Sequence, residues 1–194
     1  MPDNSKIFFN KKILIYGLGK SGLSSFDFLR NKNDVYLFDD NLNLKINKSI
    51  KKKILNLKEL LKTKFDLIIL SPGIDKKKCK LKDLLKKKNK NIYTDLDVFH
   101  SFYGNVSVTI TGTNGKSTTC KLLYDILKDQ KKDVRLAGNI GTPILSINKF
   151  SKKTIFIIEA SSYQLEYSKI FSSKFAAILN IAPDHLERHG NLKN

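Results

Sequence analysis

Tryptophan is absent from this sequence of 194 residues, methionine occurs once, and there are only two cysteines, four prolines and three arginines. Each shortage excludes something. Cys79 and Cys120 lie far apart and belong to no CxxC or Cys/His cluster, so neither a disulfide framework nor a zinc site is indicated. No apolar run approaches the roughly 18 residues of a membrane-spanning helix. The opening MPDNSKIFFNKK has no apolar core of a secretory signal. A cytoplasmic protein with no membrane association is the expectation. Hydrophobic residues make up 41% of the chain, which excludes wholesale disorder, and the length suits one ordinary domain or two small ones.

Arginine is scarce where positive charge is not. The formal charge is +18, from 36 Lys plus Arg against 18 Asp plus Glu, yet the arginines are only Arg30, Arg135 and Arg188. Arginine is the side chain suited to bidentate base and phosphate contacts. Residues 45 to 90 carry 17 lysines and 4 acids, so 13 of the 18 charges lie there, and aromatic residues are nearly missing from that stretch. Asparagine is also abundant, at 17. Joint enrichment in Lys, Asn and Ile is what AT-rich coding DNA produces whatever the function. The reading is a solvated lysine surface with no specific nucleic-acid partner; a polyanion site is the competing one.

Short apolar runs bounded by Gly, Asp or Pro recur at Ile13 to Tyr16, Val35 to Phe38, Phe65 to Leu70, Val106 to Ile110, Thr154 to Ile158 and Phe175 to Leu179. Between several of them the spacing is helical, notably at Leu23 to Leu29 and at Leu122, Leu123, Ile126 and Leu127. Strands alternating with helices predict an α/β fold with mostly parallel sheets. HSFYGN, His100 to Asn105, separates the lysine-rich half from a fresh strand, which divides the chain into units of about 1 to 102 and 103 to 194. The second unit reads as incomplete, because the chain stops soon after a helix begins at Leu186.

Four motifs carry chemistry. GLGKSG, Gly17 to Gly22, is a GxGxxG directly after the strand ILIY, with Asp39 and Asp40 at the end of the next strand where a ribose-binding acid is expected. The geometry serves any nucleotide diphosphate, so an NAD site and a ligand-free βα turn both stay open. TGTNGKST, Thr111 to Thr118, follows the strand VSVTI and opens a helix. Its backbone amides can surround phosphate oxygens, Lys116 can reach the β/γ-phosphates and the Ser117 hydroxyl can ligate Mg²⁺. It is a shorter variant of the usual loop, since Ile110 stands where the first glycine would be.

EASSYQLE begins with Glu159 at a strand end, where a carboxylate can serve a nucleotide's Mg²⁺. Alternatively it caps a helix, with Ser161 and Ser162 as capping hydroxyls. NIAPDHLERHG, Asn180 to Gly190, again follows a strand, and its Asp184 and His185 place an imidazole beside a carboxylate able to set its tautomer.

The order GLGKSG, SPGI (Ser71 to Ile74), TGTNGKST, GNIGTP (Gly138 to Pro143), EASSYQLE and NIAPDHLERHG resembles the Mur ligases of peptidoglycan synthesis. The SSxQLE of Ser161, Ser162, Gln164, Leu165 and Glu166 is most like the branch that adds D-glutamate. The resemblance implies a Rossmann-like first domain for the UDP-linked substrate and a P-loop central domain for ATP. It implies an ATP-dependent carbon–nitrogen ligase, using Mg²⁺, that joins D-glutamate to UDP-N-acetylmuramoyl-L-alanine through an acyl phosphate. By position, Gly112, Thr113, Asn114, Gly115, Lys116, Ser117 and Thr118 belong to ATP. Ser117, Glu159 and His185 belong to magnesium, and Lys116, Glu159 and His185 are the catalytic set. Lys20, Ser21, Asp39, Asp40, Ser71, Pro72 and Gly73 belong to the uridine end. Asn139, Ser161 and Gln164 line the substrate path, and Thr142 and Pro143 are structural.

A complete family member has a carbamylated lysine and a third domain beyond the DH motif. The chain is therefore expected to be a truncated gene product, one half of a split enzyme or an excised fragment, acting as a monomer. The rival reading is a nucleotide-binding remnant or subunit without ligase activity.

Overall fold

The structure is a computed structural model that describes residues 4–41 and 47–190. In chain order the strands are β1 (Lys12–Tyr16), β2 (Asp34–Phe38), β3 (Leu67–Leu70), β4 (Ile92–Tyr93), β5 (Ser107–Thr111), β6 (Val134–Gly138), β7 (Ile155–Glu159) and β8 (Phe175–Ile178). The helices are α1 (Lys20–Leu29), α2 (Lys48–Lys51), α3 (Leu57–Lys62), α4 (Lys82–Lys87), α5 (Asp95–Phe102), α6 (Lys116–Asp129), α7 (Ser162–Tyr167) and α8 (Leu186–His189). The predicted α/β architecture is what forms. All six strands read from the sequence are present. Two were not read. β4 is only two residues long, and β6, VRLAG, mixes Arg and Ala into its apolar pattern.

The strands build two four-stranded parallel sheets, in the orders β2-β1-β3-β4 and β6-β7-β5-β8. Parallel sheets are covered by helices on both faces, which is why β1 and β3 read as continuous apolar runs and are buried almost throughout. In the first sheet the order reverses between β1 and β3, so the GLGKSG turn after β1 and the SPGI loop after β3 leave neighbouring strand ends. In the second sheet β5 neighbours β7, which places TGTNGKST beside Glu159. Ligands of open α/β sheets bind in such crevices, outside the carboxyl ends of the strands.

One apolar cluster runs through both sheets. It joins Phe8, Ile13, Ile15 and Leu29 to Leu96 and Phe99 of α5 and onward to Ile144, Phe156, Ile158 and Ala160. Two buried carboxylates of α5 add polar ties. Asp97 is fully buried; its Oδ1 accepts from Lys169 N (2.8 Å), Ile170 N (2.7 Å) and Phe171 N (3.0 Å), and its Oδ2 from Thr94 N (2.8 Å). Buried charge is tolerated only when so bonded. Asp95 accepts from Leu96 N and from the Gln164 amide at 3.3 Å, with a further bond to the Ser21 side chain. The lysine-rich runs at 51 to 53 and at 86 and 87 are exposed. β8 is different from the other strands, being exposed along its whole length.

Candidate functional site

The TGTNGKST turn wraps from the end of β5 into α6, and its shape is held by the segment that leaves β8. Thr113 N donates to Asn180 O (3.1 Å), Asn114 N to Asn180 Oδ1 (2.9 Å), and Asn180 Nδ2 donates back to Asn114 O (3.0 Å). The Thr113 hydroxyl donates to Ala182 O and accepts from Ala182 N, at 3.1 and 3.0 Å. Lys116 Nζ lies over the turn and donates to Gly112 O (2.6 Å) and Thr113 O (2.8 Å). Its ammonium is thus inside the loop whose amides would surround a phosphate.

Behind the lysine, Ser117 Oγ donates to Glu159 Oε2 at 2.7 Å, and Asn139 Nδ2 donates to Glu159 Oε1 at 3.2 Å. Glu159 is 2% exposed and, among the described residues, has no cationic partner within ion-pair distance. Asn139 comes this close because Gly138 precedes it. A Cβ on Gly138, at φ +103°, would stand 2.2 Å from Glu159 O. Beneath them Cys120 is buried, and burial, with the Glu159 carboxylate, pushes its thiol up to about 11. It is therefore protonated and inert at neutral pH.

The ligand set fits Mg²⁺. A hydroxyl and a buried carboxylate without a counter-ion are hard oxygen donors, and Mg²⁺ takes one or two such groups and completes its shell with water and phosphate. His185 is placed differently. It stands at the N-cap of α8 in a left-handed conformation, φ +51°, with its Nε2 3.6 Å from Asp184 Oδ2 and its Nδ1 3.6 Å from Glu187 Oε1. Among the described residues no three His, Cys, Asp or Glu side chains gather into a metal cluster. His185 therefore shares the cleft wall without joining Glu159.

That cleft encloses about 550 Å³ between Lys116, Thr113, Asn180, Ser161 and Asp184–His185. A second cleft of about 580 Å³ is lined by Gly17, Lys20, Ser21 and Asp39 of the first sheet and by Asn139 to Gly141 of the second. Pro72, Gly73 and Asn139 line both. The GLGKSG turn owes its form to close packing. A Cβ on Gly22 would fall 1.8 Å from Gly17 O, so α1 can lie against β1 only with glycine there. Asp39 braces the turn, its Oδ2 accepting from Leu18 N at 2.5 Å and its Oδ1 from Asn41 N at 2.8 Å.

Most of the residues read from the sequence thus fall on one or other cleft; Asn114, Gly115, Ser117, Thr118 and Glu159 belong to the phosphate-type turn and its backing without lining either, and Asp40 and Gln164 are turned elsewhere. Asp40 turns away to accept from Tyr16 Oη (2.7 Å) and Lys80 N (3.3 Å), and burial together with this bond raises the tyrosine's pKa. Gln164 is 1% exposed: it completes a capping box with Ser161, the N-cap of α7, and hands its amide to Asp95. Ser161 does both jobs, capping α7 and lining the first cleft. Sequence reasoning missed Asn180, Tyr163, Arg188 and His189 as wall residues. Their signal was their presence inside the motifs EASSYQLE and NIAPDHLERHG.

Residues 11–92 match the N-terminal domain of MurD-like Mur ligases, and residues 110–194 match the Mur ligase middle domain. The chain belongs to the Mur ligase family. Among curated relatives, the UDP-N-acetylmuramoylalanine–D-glutamate ligase of Rickettsia felis is 39% identical over 189 residues, 94% of this chain and 41% of the relative. Proteins of the same name from Caldicellulosiruptor bescii and from Buchnera aphidicola are 38% and 39% identical, over 95% and 94% of this chain and 42% of each relative. The chain therefore spans about two fifths of the length of these relatives. In fold it is similar to the crystal structure of UDP-N-acetylmuramate:L-alanyl-gamma-D-glutamyl-meso-diaminopimelate ligase from Neisseria meningitides, with a TM-score of 0.53 at 16% identity over 95% of this chain and 64% of that one. The murein peptide ligase of Psychrobacter arcticus gives a TM-score of 0.52 at 17% identity over 92% and 44%. Within this Mur ligase frame the first sheet belongs to the N-terminal match and the second to the middle-domain match.

Proposed function

We propose that the chain supplies the UDP-substrate and ATP sites of an ATP-dependent amide ligase that joins D-glutamate to UDP-N-acetylmuramoyl-L-alanine. One observation carries this reading: the phosphate-type turn and the dinucleotide-type turn open into two clefts with a common wall at Pro72, Gly73 and Asn139. A phosphoryl group can pass from a nucleotide in one cleft only to a substrate whose tail reaches over from the other. The curated relatives' shared name supplies the identity of the acceptor and the amino acid.

In this reading Lys116 exchanges its two carbonyl contacts for β/γ-phosphate oxygens, and the turn's amides hold the rest of the triphosphate. Ser117 and Glu159 would hold Mg²⁺, which supplies charge neutralisation at the transferring group. Asn139 fixes the Glu159 carboxylate, and His185 faces the end of the first cleft where the acceptor carboxylate arrives. The carboxylate takes the γ-phosphoryl group, giving an acyl phosphate and ADP; the amine of D-glutamate then attacks the acyl carbon and releases phosphate. Lys20, Ser21 and Asp39 bind the uridine end. Because ATP and a UDP-linked precursor are consumed, the reaction belongs in the cytoplasm, and among the described residues no helix is long and apolar enough to cross a membrane.

Calorimetry with Mg-ATP and with UDP-N-acetylmuramoyl-L-alanine tests the two sites separately. Binding of both, with ATP binding weakened in Lys116→Ala, is expected; unchanged ATP affinity in that variant would overturn the assignment of the turn. The amino acid is tested by incubating the whole ligase polypeptide containing this chain with ATP and labelled amino acids, where label from D-glutamate should enter the nucleotide fraction.

A further inference from the structure

The wall between the clefts is held from two sides. On the inner side Ser71 N donates to Tyr16 O (2.9 Å) and Ser71 Oγ to Gly17 O (2.7 Å), which ties the Ser71 to Ile74 loop to the GLGKSG turn. On the outer side the tie is Arg188, whose Nη2 donates to Pro72 O (2.8 Å) and to Ile74 O (2.6 Å). The same guanidinium lies 3.7 Å from the ring centroid of Tyr163, and its Nη2 donates to Tyr167 Oη at 3.2 Å. Tyr163 and Tyr167 are one turn apart on α7, so they present neighbouring rings to it.

This is an expensive way to glue two surfaces. Among the described residues no carboxylate lies within 4 Å of the guanidinium, and Nε is buried with no acceptor. A partly desolvated cation met by neutral oxygens and ring faces, with no carboxylate, gains little net stability compared with an apolar contact. What the arrangement does supply is connection. Arg188 follows Asp184 and His185 within one short segment, and it rests on α7 just after Ser161; all three line the first cleft, while the carbonyls it grips flank Gly73 in the second.

We propose that Arg188 is a positioning residue that couples occupancy of the two clefts, setting the Pro72 to Ile74 wall according to what fills the nucleotide turn. The proposal rests on the reading of both clefts as nucleotide sites. A ligand that orders Asp184–His185 fixes α8 and hence Arg188; Arg188 then fixes the two wall carbonyls, Pro72 O and Ile74 O, and through Ser71 the GLGKSG turn. A second ligand entering the other cleft finds its wall already ordered. Such coupling is reciprocal and falls in the range of about 5- to 150-fold for linked sites.

The test is a pair of titrations on the chain as it stands. The affinity for UDP is measured by calorimetry alone and at saturating Mg-ADP, and the ratio is the coupling factor. Because it is a ratio, a variant that weakens either ligand by itself does not mimic its loss. The native chain should give a factor of about five or more, and Arg188→Ala a factor near one. Arg188→Lys keeps the charge but not the planar guanidinium, which lies on the Tyr163 ring while a single nitrogen reaches both carbonyls, and its factor should also fall. It serves as the test if Arg188→Ala does not fold. A native factor near one, with both ligands binding, would overturn the coupling while leaving the two sites intact. An undiminished factor in a folded variant would also overturn it. Binding of neither ligand would remove the site reading and this proposal with it.

Discussion

The two glycine-rich turns have the same plan, strand then turn then helix, but are built by different forces. GLGKSG is a packing solution: α1 lies so close to β1 that Gly22 has no room for a methyl group, and Ser71 and Asp39 merely brace the backbone. TGTNGKST is a hydrogen-bonding solution, laced to Asn180 and Ala182 on the neighbouring strand exit, with a lysine resting on its own carbonyls. The difference follows from what each turn must leave open. A turn shaped by contact leaves its backbone bare, whereas a turn whose centre is taken by a lysine ammonium is held from outside, by the segment that leaves β8.

The steric turn should show the largest effect. Gly22→Ala should destabilise the chain by about 3 kcal/mol or more, as an overpacking change against backbone that cannot shift. Denaturant melts measure it, and a loss below about 1 kcal/mol would mean that α1 can slide away from β1. At the other turn, Lys116→Ala should leave the melt almost unchanged. It should cost about 10- to 100-fold in ATP affinity, the worth of a charged hydrogen bond. A large stability loss there would erase the contrast. Asn180→Ala removes two bonds to Asn114 in a largely exposed setting, so about 1 kcal/mol of stability is expected, together with weaker ATP binding and little change at the UDP site. Equal effects on both ligands would show that the turns are not independently held.

The smallest effect concerns the link between them. Burial raises the pKa of Asp95, against the pull of its bonds to Gln164 and Ser21. A carboxyl with a raised folded value binds more protons folded than unfolded. Its stabilising contribution is therefore full below the ordinary carboxylate value of about 3.9 and is lost as pH rises through the raised value. Asp95→Asn removes this dependence. The stability of the variant relative to the native chain should decline as pH is lowered across that window, and a flat difference would show that Asp95 titrates normally.

Much of the ligand-facing architecture was legible because short motifs report local backbone. GLGKSG, TGTNGKST and the acid after TIFII each announced a strand end, and each stands at one. Gln164 and Asp40 show where that reasoning runs out. Both sit inside recognisable motifs and both are turned inward, Gln164 onto Asp95 and Asp40 onto Tyr16, because a polar side chain near a cleft takes whichever partner burial offers. Asp97 had no motif at all, since three backbone amides 72 to 74 residues away are invisible from its own neighbours.

The strand–turn–helix units, the family and the place of the two glycine-rich turns at strand ends were therefore readable from residue types a few positions apart. Only the tertiary structure decided that two parallel sheets share one core, that their clefts share the wall of Pro72, Gly73 and Asn139, and that Arg188 reaches from α8 to grip that wall. Those contacts join residues up to 116 positions apart, and their free energy comes from burial and bonding that exist only once both sheets have formed.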